Sequence, residues 1–207
     1  VVLTHTDQDH INGVMEVLEE GKKGWLTVKH LLYPCWMEET EQGRELQKLA
    51  KEAGASCQGI RAGDQLELGN AEAAVIYPGD EETVTEPNAG SLVLCWEWAG
   101  VRTLFTGDLP EEKERELLQK LPACEILQVG HHGSATSTCQ EFLDRVQPSL
   151  AVISCALTNR YGHPAPDTVE RLEKNGCEIR YTMKGGAVTV RQRGKEIRVE
   201  EYVTGGQ

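Results

Sequence analysis

The chain has 207 residues, 39% of them hydrophobic and 26% charged, which suits one globular domain with a substantial core. A formal net charge of -12 argues against a broad basic surface for nucleic acid. Seven cysteines, odd in number, widely spread and without a C-x-x-C pair, read as reduced small hydrophobes rather than a disulfide framework or a zinc knot. No apolar run approaches the ~20 residues that span a bilayer, and no organic cofactor motif is present.

In chain order, Val1–Leu3 reads as the end of a buried strand and Ile11–Glu20 as a helix, with Ile11, Val14, Met15 and Leu18 on one face. Val28–Tyr33 is a short strand, and Glu38–Ala53 has helix composition ended by Gly54. Brief strands follow at Cys57–Ile60, Gln65–Leu68 and Ala73–Tyr77, the last closed by Pro78-Gly79. Asp80–Pro87 is an acidic loop, and Ser91–Trp98 with Val101–Phe105 forms a hairpin running into Thr106-Gly107-Asp108. Pro110–Leu121 is a helix whose acidic first turn suits its dipole. Beyond it lie strand Glu125–Val129, helix Gln140–Val146, strand Leu150–Ser154, helix Pro166–Asn175, and closing strands Glu178–Thr182, Ala187–Arg191 and Glu196–Tyr202.

Polar punctuation of this pattern points to chemistry. Apolar strands end, one after another, in metal-ligating side chains: "VVLTHTDQDH", "TLFTGD", "ILQVGHH" and, after a loop, "AVISCALTNRYGHP". All six histidines except His30 fall in these loops. Imidazole nitrogen and carboxylate oxygen are the ligands that Zn²⁺, Mn²⁺ and Fe²⁺ accept. Loops at one edge of an α/β sheet converge, so four such strand ends can supply one site. Asp108, set by a glycine at a strand end, can bridge two cations, and a two-metal site favours phosphodiester or other ester hydrolysis. Taken singly, each signal fits a plain turn; the ordered set does not.

The order H-x-D-x-D-H, a hairpin into T-G-D-L, G-H-H-G-S, then N-x-Y-G-H-P resembles the metallo-β-lactamase superfamily, most closely the C-terminal hydrolase-like domain of ComEC-family competence proteins. The resemblance runs from Val1 to about Val199. It implies an αβ/βα four-layer sandwich with its first strands missing, since the chain opens without Met inside what reads as a strand. It also implies two divalent ions, zinc or manganese, bound by His5, Asp7, Asp9, His10, Asp108 and one late histidine. His131 is the favoured late ligand, with His132 and His163 nearer the substrate, although topology leaves the choice among the three open. Asp9, His132 and His163 are the candidate catalytic groups, and Ser134, Asn159 and Tyr161 the candidate substrate contacts.

Two departures stand out. Asp7 stands where many members have His, which shifts preference toward Mn²⁺. The histidine expected before the bridging Asp is replaced by Pro87-Asn88-Ala89-Gly90-Ser91, in which only Asn88 offers a weak oxygen. The implied function is a nuclease or phosphodiesterase acting on DNA during uptake. The implied location is the outer side of the cytoplasmic membrane, reached through upstream membrane segments of a parent chain. The alternatives are a phosphorylcholine esterase-like phosphodiesterase and a binding module that has lost turnover. The acidic charge counts against tight DNA binding, although Arg160 and Lys184 can line a groove. Seven cysteines also sit uneasily with an oxidising compartment.

Overall fold

The structure, a computed structural model, describes residues 1–202. The chain divides into two compact units, one of Val1–Asp64 with Val75–Val93, the other of Gln65–Ala74 with the chain from Leu94 onward.

In the first unit the entering chain bridges in parallel to Leu32 through Val2, and Leu3 donates its N–H to the Leu32 carbonyl at 2.9 Å. Helix α1 (Gln8–Lys22) starts three residues before the expected Ile11, so Asp9 and His10 stand in its first turn rather than in a loop. An acid in that turn complements the helix dipole. Its apolar face is the predicted one: Ile11 and Leu18 are buried, and Val14 and Met15 pack against the same core. Strand β1 (His30–Pro34) is followed by a 3-10 turn at Cys35–Glu39 and then helix α2 (Glu41–Glu52). The single helix expected over Glu38–Ala53 is thus broken at Thr40, whose extended backbone and side chain cap α2 by accepting from the Gly43 N–H at 3.0 Å. Strand β2 (Ser56–Ile60) pairs with β1 in parallel, and Leu31, Tyr33, Met37, Leu46, Leu49 and Ala50 form the core beneath the helices.

Gly43 is required by this junction, because a Cβ there would lie 1.9 Å from the Met37 carbonyl oxygen and 2.9 Å from Thr40 Oγ1. The carbonyl is backbone and cannot swing aside. Gly43→Ala is expected to destabilise the protein by about 2 kcal/mol, read as a lower urea midpoint; an unchanged midpoint would refute the close approach.

The second unit is built on a seven-stranded mixed sheet of order β3-β4-β5-β6-β7-β8-β9. Strands β3 (Gln65–Leu68) and β4 (Ala71–Tyr77) pair antiparallel, as do β5 (Val93–Trp98) and β6 (Val101–Phe105). Helix α3 (Glu111–Leu117) leads to β7 (Ile126–Gln128), α4 (Gln140–Val146) to β8 (Leu150–Ile153), and α5 (Pro166–Lys174) to β9 (Glu178–Tyr181), giving parallel pairs from β6 through β9. These short crossovers place the loops after β6, β7 and β8 at the same edge of the sheet. Leu104, Leu127, Ala151 and Ile153 are wholly buried along its middle strands.

A short helix α6 (Thr182–Gly185), not foreseen from sequence, precedes the hairpin of β10 (Ala187–Arg193) and β11 (Glu196–Tyr202). Val190, Ile197 and Val199 of that hairpin pack on Val101, Ile126 and Leu150 of the sheet. All seven cysteines are free thiols, and burial pushes Cys124 and Cys139 up to about 12, far from reactive thiolates. Among the described residues no helix is long and apolar enough to cross a membrane.

Candidate functional site

The first set of donors lies on the entering chain and the first turn of α1. Leu92 donates its N–H to the Thr4 carbonyl at 3.0 Å and so pins the chain just before His5. His5 is completely buried, and its Nδ1 lies 3.0 Å from Thr4 Oγ1 and 3.4 Å from Ser91 Oγ. The stretch that sequence comparison marks as lacking a histidine therefore contributes differently: Asn88–Gly90 forms a 3-10 turn, and Ser91, expected to begin a strand, holds the far side of the His5 ring. Such outer contacts fix ring orientation and tautomer in metal sites. His5 Nε2 lies 3.9 Å from Asp7 Oδ2, and His10 Nε2 lies 3.9 Å from Asp9 Oδ2. The two imidazoles stack at 4.1 Å between centroids. Asp7 is the N-cap of α1, yet its side chain makes no capping bond to the helix and is directed to His5 instead.

The second set is carried by the loops after β6, β7 and β8. Gln128, a polar residue in an otherwise apolar strand, ties the first two together. Its Oε1 accepts from the N–H groups of Thr106 and Gly107, both at 3.2 Å, and its Nε2 donates to the Val129 carbonyl at 2.8 Å. The His131 N–H closes the tie on the Gly107 carbonyl at 3.0 Å. His131 and His132 both adopt left-handed backbone, with φ of 49° and 56°. Asp108, 3% exposed, is thereby placed with Oδ2 at 3.5 Å from His132 Nε2 and 3.8 Å from His131 Nε2. The Nδ1 of His132 donates to the Ser154 carbonyl at 2.8 Å. That bond leaves Nε2, the nitrogen facing Asp108, as the lone-pair atom.

His163 stands beside this group, its ring 5.8 Å from that of His131 and stacked on Tyr161 at 5.7 Å. Its buried Nδ1 has no hydrogen-bond partner among the described residues. Burial, and then the neighbouring His131 and His132, pull its pKa below the ordinary histidine value. Tyr161 is largely exposed, with the Arg160 guanidinium 4.8 Å from its ring centroid. Asn159 uses its amide within its own loop, donating to the carbonyls of Ala156 and His163 and accepting from the N–H groups of Tyr161 and His163. Ser134 is buried against Thr136 at 3.0 Å between hydroxyl oxygens. Both thus shape the loops that carry the histidines. Of the three candidate substrate contacts, Tyr161 is the exposed one.

Within each set, imidazole and carboxylate donor atoms approach one another in pairs. Nitrogen-to-oxygen separations of 3.5 to 3.9 Å are longer than hydrogen bonds. They approach the ~3.4 Å between two donor atoms that share an ion in tetrahedral coordination at about 2.1 Å. The donors are imidazole and carboxylate only, which suits zinc, manganese or iron.

The chain belongs to the metallo-β-lactamase superfamily, whose family model matches residues 1–156. That class consists of generally hydrolytic, metal-dependent proteins, and its fold is the one described above. Within it, the chain is 32% identical over 197 residues to ComE operon protein 3 of Bacillus subtilis (strain 168), covering 94% of this chain and 25% of that protein. It is 27% identical over 190 residues to Recombination protein 2 of Haemophilus influenzae, covering 92% and 22%. The chain therefore spans about a quarter of the length of these curated relatives. Among solved structures, CmlA, a diiron β-hydroxylase from Streptomyces venezuelae, superposes with a TM-score of 0.59 over 97% of this chain and 44% of that one, at 13% identity, a likeness of fold.

Proposed function

We propose that the chain is a metal-dependent phosphodiesterase acting on DNA, the nuclease domain of a ComEC-type DNA-uptake protein, working on the outer side of the cytoplasmic membrane. The observation that carries the reading is Asp108, buried and flanked by the Nε2 atoms of two histidines, one of them fixed in a ligand's tautomer by the Ser154 carbonyl. Similarity to proteins named for recombination and competence, Recombination protein 2 of Haemophilus influenzae and Competence protein ComA of Neisseria gonorrhoeae, supports DNA as the substrate.

The metal ligands of this reading are His5, Asp7, Asp9, His10, Asp108 and His131; the bond from His132 to Ser154 qualifies His132 equally. When bound, two divalent ions supply Lewis acidity toward the phosphate and lower the pKa of water. The chain's own part is positional and protonic. Asp9, the most exposed carboxylate of its set, accepts the proton of the attacking water. His163, whose pKa burial and then the neighbouring His131 and His132 lower, is assigned to the leaving oxygen, its ring 5.8 Å from that of His131. Tyr161 and Arg160 offer an aromatic face and a guanidinium to the nucleotide.

Hydrolysis of single-stranded DNA, double-stranded DNA and bis-(p-nitrophenyl) phosphate, each with Mn²⁺, Zn²⁺ or EDTA, tests the reading. Metal-dependent DNA cleavage is expected. Turnover of the small ester alone would make the protein a small-molecule phosphodiesterase, and no turnover with any metal would make it a binding module.

A further inference from the structure

We infer that Glu114 and Arg171 are positioning residues for the His131–His132 pair, gripping its loop from two helices and holding the backbone that turns both imidazoles onto Asp108. The inference rests on His131 and His132 being site residues. Between Gly130 and Cys139 the chain has three left-handed residues that are not glycine: His131, His132 and Thr138, the last at φ 55°. Such conformations are unfavourable, most of all for a β-branched residue, and persist where surrounding contacts over-determine them.

Those contacts converge on Thr138 from opposite directions. From α3, the carboxylate of Glu114 accepts from the N–H groups of Thr138 at 2.6 Å and Cys139 at 2.8 Å. From α5, Arg171 donates through Nε to the Thr138 carbonyl at 3.0 Å, and through Nη2 to the Ser137 carbonyl at 3.1 Å and Thr168 Oγ1 at 2.9 Å. Thr168 passes the hold back along the loop by donating to the Ser134 carbonyl at 2.8 Å. Ser137 ties across to the Gly130 carbonyl, next to His131, also at 2.8 Å. A chain of hydrogen bonds thus runs from both helices to the histidine pair.

Capping α4 does not by itself explain Glu114. The N–H groups it meets belong to the N-cap residue Cys139 and the residue before it, which an N-cap side chain does not satisfy, and meeting them takes the carboxyl completely out of water. Burial pushes Glu114 up to about 7 even though the two backbone bonds pull the other way. A group retained at that cost, bonded from α3 to the loop that carries the histidines, is expected where geometry matters more than stability.

The test compares Glu114→Gln and Arg171→Met with wild type by two readouts. The first is ¹⁵N NMR of histidine side chains in metal-free protein, where the His132 Nδ1–H bonded to Ser154 gives a protected proton and a single tautomer. Both variants are expected to lose that signature while keeping wild-type circular dichroism. The second is Mn²⁺ and Zn²⁺ affinity by calorimetry, expected to fall about 10- to 100-fold. An unchanged His132 signature and unchanged metal affinity in a folded variant would overturn the inference. Should one variant fail to fold, the other decides, since the two act on Thr138 from different helices. Wild-type protein that binds neither metal sinks the metal-site reading, and the NMR comparison still decides the positioning roles. Tight metal binding without DNA cleavage sinks the nuclease reading alone.

Discussion

Asp108→Ala is expected to lower metal-dependent phosphodiester hydrolysis by about 10³-fold or more, the loss corresponding to several kcal/mol of transition-state stabilisation supplied through bound metal. Asp108 combines near-complete burial with proximity to two imidazole nitrogens. Burying a carboxylate costs several kcal/mol unless a cation or hydrogen bonds compensate it. Its removal takes away the acidic partner of both histidines at once. Asp108→Asn, which keeps the size and removes the charge, is expected to behave nearly as Ala in turnover and in Mn²⁺ affinity. Initial rates with bis-(p-nitrophenyl) phosphate at saturating Mn²⁺, beside circular dichroism to confirm folding, measure the effect. Retention of turnover within tenfold would show that Asp108 does not bridge metal and would remove the basis of the proposed mechanism.

What the sequence could disclose was what repeats at short range. The α1 face of Ile11, Val14, Met15 and Leu18 is a 3.6-residue pattern, and the β5–β6 turn at Ala99-Gly100 is local turn chemistry, so both were legible. So was the placing of Asp108 just after β6 and of His131 and His132 just after β7, which is a matter of order along the chain. The break at Thr40 was not, because a threonine inside a helix-like composition signals a cap only once the Cys35–Glu39 turn is known to precede it. Nor was the left-handed backbone of His131 and His132, a conformation uncommon outside glycine that contacts distant in sequence hold in place. Gln128 left one trace, a polar residue inside the apolar run "ILQV", and that kind of interruption marks a side chain recruited to tie loops. Ser91 shows the converse: it was expected to begin a strand, while hydrogen bonding puts it behind His5. Roles of this kind depend on which partners an atom meets, and spacing carries no record of that.

The stability of metal-free protein is expected to depend on pH through Glu114. In the unfolded chain its carboxyl has the ordinary value of 4.5, and in the folded protein burial raises it to about 7. Both states bind the proton below pH 4.5, so the group's full contribution is present there. Between the two values the unfolded chain releases the proton first, and folding becomes progressively less favourable as pH rises through about 7. A displacement of this size corresponds to roughly 3 kcal/mol, at about 1.4 kcal/mol for each pKa unit. His163, with its lowered pKa, works in the opposite direction, losing stability as pH falls. The informative quantity is therefore the difference between wild type and Glu114→Gln, measured by urea unfolding from pH 4.5 to 8 in EDTA. Relative to the variant, wild type should lose roughly 3 kcal/mol across that range. A pH-independent difference would mean that the Thr138 and Cys139 N–H groups hold the Glu114 carboxylate ionised throughout, with their bonds outweighing burial.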